Sequence, residues 1–248
     1  MGRSVRLNVR RGAFDRGIAA YFVARTRLIS EGYSVELDWY ERRASSEIDE
    51  AIFLSETAWV ILNSGFRESV VRRLFARIAQ AFGGFRSVDR IIDDARGMVN
   101  SGCKVLAHRP KMNAIVAAAQ WWKLTGEEEV TRMRNEGQVD RFMQIPYIGA
   151  VTVWHLAKNL GFPVAKPDRH LERIALAVGF DDSQTLCREL GKALGLSPAI
   201  VDTVFWRYAT IEPCYPSLFG RKNLWRTTRR ALSVAVVDVN PALQPVAV

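Results

Sequence analysis

The sequence predicts an all-α fold, and three observations lead there. Apolar residues recur at a helical period of about 3.6 along nearly the whole chain, while the alternation expected of strands is nearly absent. Glycine and proline fall at intervals of roughly one helix length, where they end one helix and start the next. Apolar residues make up 48% of the 248 positions, ample for a core of packed helices. The segment VAVVDV near residues 234–239 is the exception, readable as a helix tail or as extended chain.

Seven arginines (Arg3, Arg6, Arg10, Arg11, Arg16, Arg25 and Arg27) against one acid, Asp15, predict an extended or flexible opening. From Phe14 to Ile29 the pattern turns helical, with Ile18, Phe22 and Ile29 as the positions expected to be buried. A charge-rich stretch then runs through Trp39, Tyr40 and Ser45. Ser46 is placed to cap a helix beginning near Ile48, with Glu47 and Asp49 at its positive end. That helix carries the apolar run Ile52 to Leu62 and is broken by Gly65. The stretch from Ser69 to Phe82 is amphipathic and stopped by Gly83–Gly84. Short helices are expected over 87–94 and 95–101, and a longer one after Pro110 that ends at Thr125-Gly126. An acidic start at Glu127 opens the next. After a break at 135–138, Val139 to Gln144 forms a short helix, Pro146 to Gly149 a tight turn, and Ala150 to Asn159 a helix. Further helices follow over 170–178, 182–194, 198–208 and 224–235.

Charged residues are 25% of the chain, and 35 basic against 26 acidic side chains give a formal charge of +9. Such a surface suits a polyanion, because Lys and Arg neutralise phosphates and release counterions. Cys103, Cys187 and Cys214 are far apart and form neither a disulfide framework nor a zinc set, which fits a reducing compartment. His108, His155 and His170 add no short-spaced metal cluster, so no metal site is expected. No run of eighteen apolar residues occurs, no secretory signal opens the chain, and no membrane association is expected.

Chemistry concentrates in residues 139–175, VDRFMQIPYIGAVTVWHLAKNLGFPVAKPDRHLERIA. The order is helix, hairpin, helix, short loop, then an acid at the start of a further helix. Gly149 permits a close turn that leaves N–H groups free at the start of the following helix, where a DNA phosphate can bind. Thr152 and Lys158 are placed to add to that contact, and Lys158 can equally be a solvated side chain. Pro167 constrains the approach to Asp168, which stands at a helix N-terminus where an anion is favoured. Asp168 can stabilise an oxocarbenium-like sugar and orient a water, or it can be a helix cap and nothing more.

These residues resemble the helix-hairpin-helix (HhH-GPD) superfamily of base-excision DNA glycosylases. Ile145-Pro146-Tyr147-Ile148-Gly149 is similar to the family's Leu-Pro-Gly-(Val/Ile)-Gly hairpin, with Tyr147 where a glycine is usual. Lys166-Pro167-Asp168 matches the end of the loop that delivers the family's essential acid, and His170, Leu171, Arg173 and Ile174 continue the pattern. Residues 58–70 resemble an early barrel helix and its turn, and Lys111 to Ile115 a further helix. The likeness spans roughly residues 48–210.

The resemblance implies two helical subdomains flanking a DNA-binding cleft. An N-terminal segment, 1–47, would pack with a C-terminal helical subdomain, 168–248, that carries Asp168. A barrel subdomain, 48–167, would hold the hairpin, 139–160. It implies double-stranded DNA with a modified base as partner, and a monomer is expected. A cytoplasmic or nucleoid location fits a prokaryotic source, a nuclear one a eukaryotic source.

Family members that also cleave the backbone carry a lysine two residues after the hairpin's last glycine. Val151 stands there and cannot attack C1′, so hydrolysis alone is expected, leaving an abasic site. Glu56 is the candidate second acid, able to protonate a leaving base, with pairing to an arginine as the alternative. Only Cys187 and Cys214 follow the site, too few for the iron–sulfur cluster of some members. No catalytic cofactor is implied, and a monovalent cation bound at the hairpin is compatible with the likeness.

Base extrusion needs a wedge. Asn63, Ser64 and Phe66 lie in the matching turn, with a helix C-cap and a core anchor as the alternatives. Trp39, Tyr40 and Trp59 are candidates for the base pocket, Trp59 equally for plain core packing. Lys166 is placed to approach a phosphate. A basic stretch around Trp225, with Arg221, Lys222, Arg226, Arg229 and Arg230, suits backbone binding or a solvated helix. Alkylated purines are the preferred substrates. Oxidised bases, bulky modified bases in foreign DNA and a noncatalytic repair scaffold remain alternatives.

Overall fold

The computed structural model describes residues 2–219, with side chains from residue 12 on, Leu218 excepted. The helix expected over 224–235, the basic stretch around Trp225 and the VAVVDV segment lie outside the described residues. All regular structure among the described residues is helical: α1 (Gly2–Ser30), α2 (Ser34–Ser45), α3 (Glu50–Asn63), α4 (Glu68–Ala81), α5 (Val88–Asp93), α6 (Ala95–Val105), α7 (Arg109–Thr125), α8 (Glu127–Glu136), α9 (Thr152–Asn159), α10 (Arg169–Val178), α11 (Ser183–Leu194), α12 (Pro198–Ile211) and α13 (Tyr215–Phe219). Single 3₁₀ turns occupy Gly83–Phe85 and Asp140–Gln144. No described helix is long and apolar enough to cross a membrane.

The chain divides into two compact units, one of residues 1–41 with 165–248 and one of residues 42–164. In the first, α1 packs on α10, α11 and α12, and α10 on α13. Its core includes Tyr21, Leu28, Leu171, Ile174, Leu186, Leu190 and Phe205. The opening is helical from Gly2, where an extended or flexible segment was expected. Its buried face is made of Ala13, Ala20, Tyr21, Ala24 and Leu28, while Ile29 is 46% exposed. Small residues rather than large ones mark the packed side here, and they let the helices approach closely. At Gly17 a Cβ would lie only 3.3–3.4 Å from side-chain atoms of Leu190, Phe180 and Leu186, so α1 approaches α11 closely there.

In the second unit, α3 and α7 form the centre, with α4, α5, α6 and α9 around them. Phe53 of α3 stacks on Trp121 and tilts against Trp122 of α7. Nine of the seventeen residues of α7 are buried. The cap of α3 is Asp49, whose carboxylate accepts from Ile52 N at 2.7 Å. Ser46 does not cap it: its hydroxyl donates back to the Arg42 carbonyl at 2.7 Å, which leaves the helix to begin at Glu50. The ends of α8, α10 and α11 are left-handed glycines, Gly137, Gly179 and Gly195.

Candidate active site and nucleic-acid interface

The hairpin belongs to the second unit. After the 3₁₀ turn at Asp140–Gln144, Ile148 N donates to the Ile145 carbonyl at 3.0 Å, closing a β-turn with Pro146 and Tyr147 at its centre. Proline at the first central position and a positive φ at the second are the marks of a type II turn. The left-handed residue is Tyr147, at φ +70°, and Gly149 is not left-handed. Tyr147 thus takes the conformation that glycine adopts freely, at a cost of roughly 1–2 kcal/mol for a side-chain-bearing residue.

Thr152, the first residue of α9, holds this turn together. Its hydroxyl accepts from Gly149 N at 2.7 Å and faces the Tyr147 carbonyl at 3.0 Å. The N–H of Gly149 is therefore occupied within the protein. Among the described residues, the N–H groups of Ala150 and Val151 carry no protein acceptor. Both residues are exposed, Val151 by 66%. Lys158, for which a solvated side chain was the alternative, is 5% exposed. The Ile145, Tyr147 and Gly149 carbonyls all accept hydrogen bonds within the turn.

The turn after α3 lies in the same unit. Asn63 donates through Nδ2 to the Trp59 carbonyl at 2.9 Å, folding its side chain back on the helix. Ser64 caps α3 through its N–H to the Val60 carbonyl. Phe66 is half-buried, edge-on to His108 with ring centroids 5.7 Å apart. Beneath it lies Lys111, whose amine donates to the Ile61 carbonyl and, at 2.7 Å, to that of Ser64. Burial pulls its pKa down to about 8.

Glu56 is also in the second unit, on α3. Asn159 donates to its Oε2 at 2.9 Å and Arg43 lies 3.9 Å from Oε1. Burial pushes its pKa up, and Arg43 and Asn159 oppose that rise. The chain passes directly against the Arg43 backbone at Gly161, where a Cβ would collide with the Arg43 carbonyl. Arginine pairing and raised proton affinity thus coexist at Glu56. Trp59 packs edge-on to Phe75 at 5.2 Å, with the Arg72 guanidinium 5.7 Å from its ring. Trp39 and Tyr40 form a T-shaped pair at 4.7 Å on α2, in the first unit.

Asp168 belongs to the first unit and caps α10. Its Oδ1 accepts from His170 N at 2.8 Å and from Leu171 N at 2.9 Å. Its Oδ2 carries no partner among the described residues, and the side chain is half-buried. The preceding loop is held on both sides: Gln184 bonds the Ala165 N–H and carbonyl, and Asp202 accepts from Lys166 N. The Lys166 amine has no ion pair among the described residues. His170 is fixed by Tyr215, whose hydroxyl lies 2.8 Å from Nδ1.

No family model, curated protein or solved structure matches this chain.

A groove of 380 Å³ between α6 and α7 is lined by Arg96, Val99, Arg109, Asn113, Val116 and Gln120, none of them a site residue expected from the sequence. No group of three or more His, Cys, Asp or Glu able to hold a metal occurs among the described residues. The clamps on the Asp168 loop, Gln184 and Asp202, also escaped the sequence reading. Lys111 left a signal, a lone lysine on the otherwise apolar face of α7 with Ile115 and Ala118.

Proposed function

We propose that this chain is a monofunctional DNA glycosylase, which hydrolyses the N-glycosidic bond of a flipped modified base and leaves an abasic site. The observation that carries the reading is Asp168, with one carboxylate oxygen anchored by two helix N–H groups and the other unpartnered. Such an acid is oriented without being consumed by its cap. As the base departs, the free oxygen stabilises positive charge developing at C1′ and orients the attacking water. The proton released by that water leaves with the carboxylate or with solvent, and the base departs with the bond electrons.

In this reading the second unit supplies the backbone grip. The Ala150 and Val151 N–H groups at the start of α9 receive a phosphate, and the chain's positive charge adds affinity that falls with salt. The DNA-binding cleft implied by the family likeness is part of this proposal. Val151 in place of an amine nucleophile supports hydrolysis without strand cleavage. Alkylated purines are the substrates proposed, because a base already carrying positive charge leaves without a proton donor. Glu56, with its raised proton affinity, supplies that proton for uncharged bases. Asn63 and Phe66 are assigned as wedge residues, and Trp39, Tyr40 and Trp59 to the base pocket.

The capping bonds of Asp168 favour one other reading, a noncatalytic scaffold in which the acid only ends a helix. A panel of duplexes, each with a single modified base, separates the two. Strand breaks that appear only after hot alkali support the glycosylase. Breaks without alkali, with borohydride trapping, mean a lyase, and tight binding with no breaks means a scaffold.

A further inference from the structure

Lys111 is 1% exposed, yet it lies beside no carboxylate. A buried ammonium is costly unless other groups replace its water. Here the replacements come from three chain segments. The carbonyls of Ile61 and Ser64 close the C-terminus of α3, where the helix dipole favours a cation. The ring of Phe66, in the turn after α3, lies 5.4 Å from the amine, and that of Tyr147, in the hairpin turn, 4.4 Å. His108, the residue that caps α7, stands edge-on to both rings. The two turns are 81 positions apart in sequence (Phe66 to Tyr147), yet one ammonium contacts an aromatic side chain from each.

A methionine of similar length would fill this space at lower desolvation cost. A cation is retained where its contacts do something packing cannot. Tyr147 sits in a left-handed conformation unfavourable to it, and attraction to the amine holds its ring in place there.

We infer that Lys111 is a positioning residue, which locks the turn at 63–66 and the hairpin turn at 145–149 into one preformed surface for DNA. The assignment of both turns to DNA rests on the glycosylase reading; the lock itself does not.

The test uses the full chain with Lys111→Met and Lys111→Arg, read in two ways. The first is hydrogen exchange on the free protein. In Lys111→Met, exchange at the bonded amides of Ser64 and Phe66 and of Ile148 and Gly149 should rise together by at least tenfold, and Lys111→Arg should restore most of the protection. Unchanged exchange in a folded Lys111→Met, or an arginine variant as exposed as the methionine one, overturns the lock. The second is binding to a duplex with a tetrahydrofuran abasic analogue beside 2-aminopurine. Lys111→Met should bind about tenfold more weakly and lose most of the fluorescence rise that reports unstacking, with rescue by arginine. A wild-type chain that neither binds nor unstacks this duplex overturns the DNA assignment of the surface, whatever the exchange shows. Should Lys111→Met not fold, Phe66→Leu and Tyr147→Leu replace it. Their effects on exchange should be non-additive by threefold or more, and additivity overturns the lock.

Discussion

Replacing Asp168 by asparagine removes a charge and almost nothing else. Oδ1 keeps its two bonds from His170 N and Leu171 N, since an amide oxygen accepts as a carboxylate does. Asparagine is as good an N-cap as aspartate, so the loss of stability should stay below about 1 kcal/mol, mostly through the helix dipole. The chemical effect is larger. A carboxylate about 4 Å from a full positive charge, at an effective dielectric of about 20, stabilises it by about 4 kcal/mol. Base release should therefore slow by roughly 10³-fold. The assay is single-turnover release from a methylated duplex, beside thermal unfolding and duplex affinity for the same preparation. Release within a few-fold of wild type, in a folded protein that binds normally, would refute the catalytic role of Asp168. A variant that unfolds would show instead that the charge is needed for the cap.

Four further outcomes are expected. Glu56→Gln should slow release of an uncharged modified base by about 10²- to 10⁴-fold and leave a cationic alkylated base little affected; equal loss on both would argue against proton donation. Because the folded pKa of Glu56 lies above its unfolded value, wild type loses stability as pH rises from the unfolded pKa through the folded one, and urea titrations at pH 4 and pH 7 should show Glu56→Gln gaining on wild type at the higher pH. Thr152→Val removes the hydroxyl that joins Gly149 N to the Tyr147 carbonyl, which should cost about 1–3 kcal/mol for two hydrogen bonds and weaken duplex binding; an unchanged urea midpoint would show the turn is held elsewhere. Val151→Lys puts an amine at an exposed position, so it should gain a borohydride-trapped adduct with damaged DNA, and no adduct would argue that this residue does not face the sugar.

The helical character was legible because it is a property of spacing, and Gly and Pro marked most of the breaks. The helix over 14–29 was legible, but its buried face was read only in part: Ala20 and Ala24 pack inside and Ile29 is exposed, because alanines carry too little hydrophobic signal to mark a face. The cap of α3 was misplaced by three residues because Ser46 and Asp49 are both good caps, and only the Arg42 carbonyl decides between them. Asp168 was readable as a cap from proline before it and a helix after it. Whether its second oxygen is free depends on the whole surrounding unit. The Glu56 network joins residues 103 positions apart, and the contacts of Lys111 with Ile61 and Ser64 join residues about 50 apart. Sequence spacing holds no trace of such pairs. Tyr147 is the instructive case, since the left-handed backbone of the turn falls on a side-chain-bearing residue and not on Gly149.

The central claim is that this chain breaks the bond between base and sugar and no other. The direct measurement is chromatography of the bases set free from methylated double-stranded DNA, paired with strand integrity before alkali. Wild type should release free alkylated purine in amounts equal to the alkali-labile sites formed, with intact strands beforehand and no release by Asp168→Asn. Tight binding of the same DNA with no free base, or strands already cut before alkali, would contradict it.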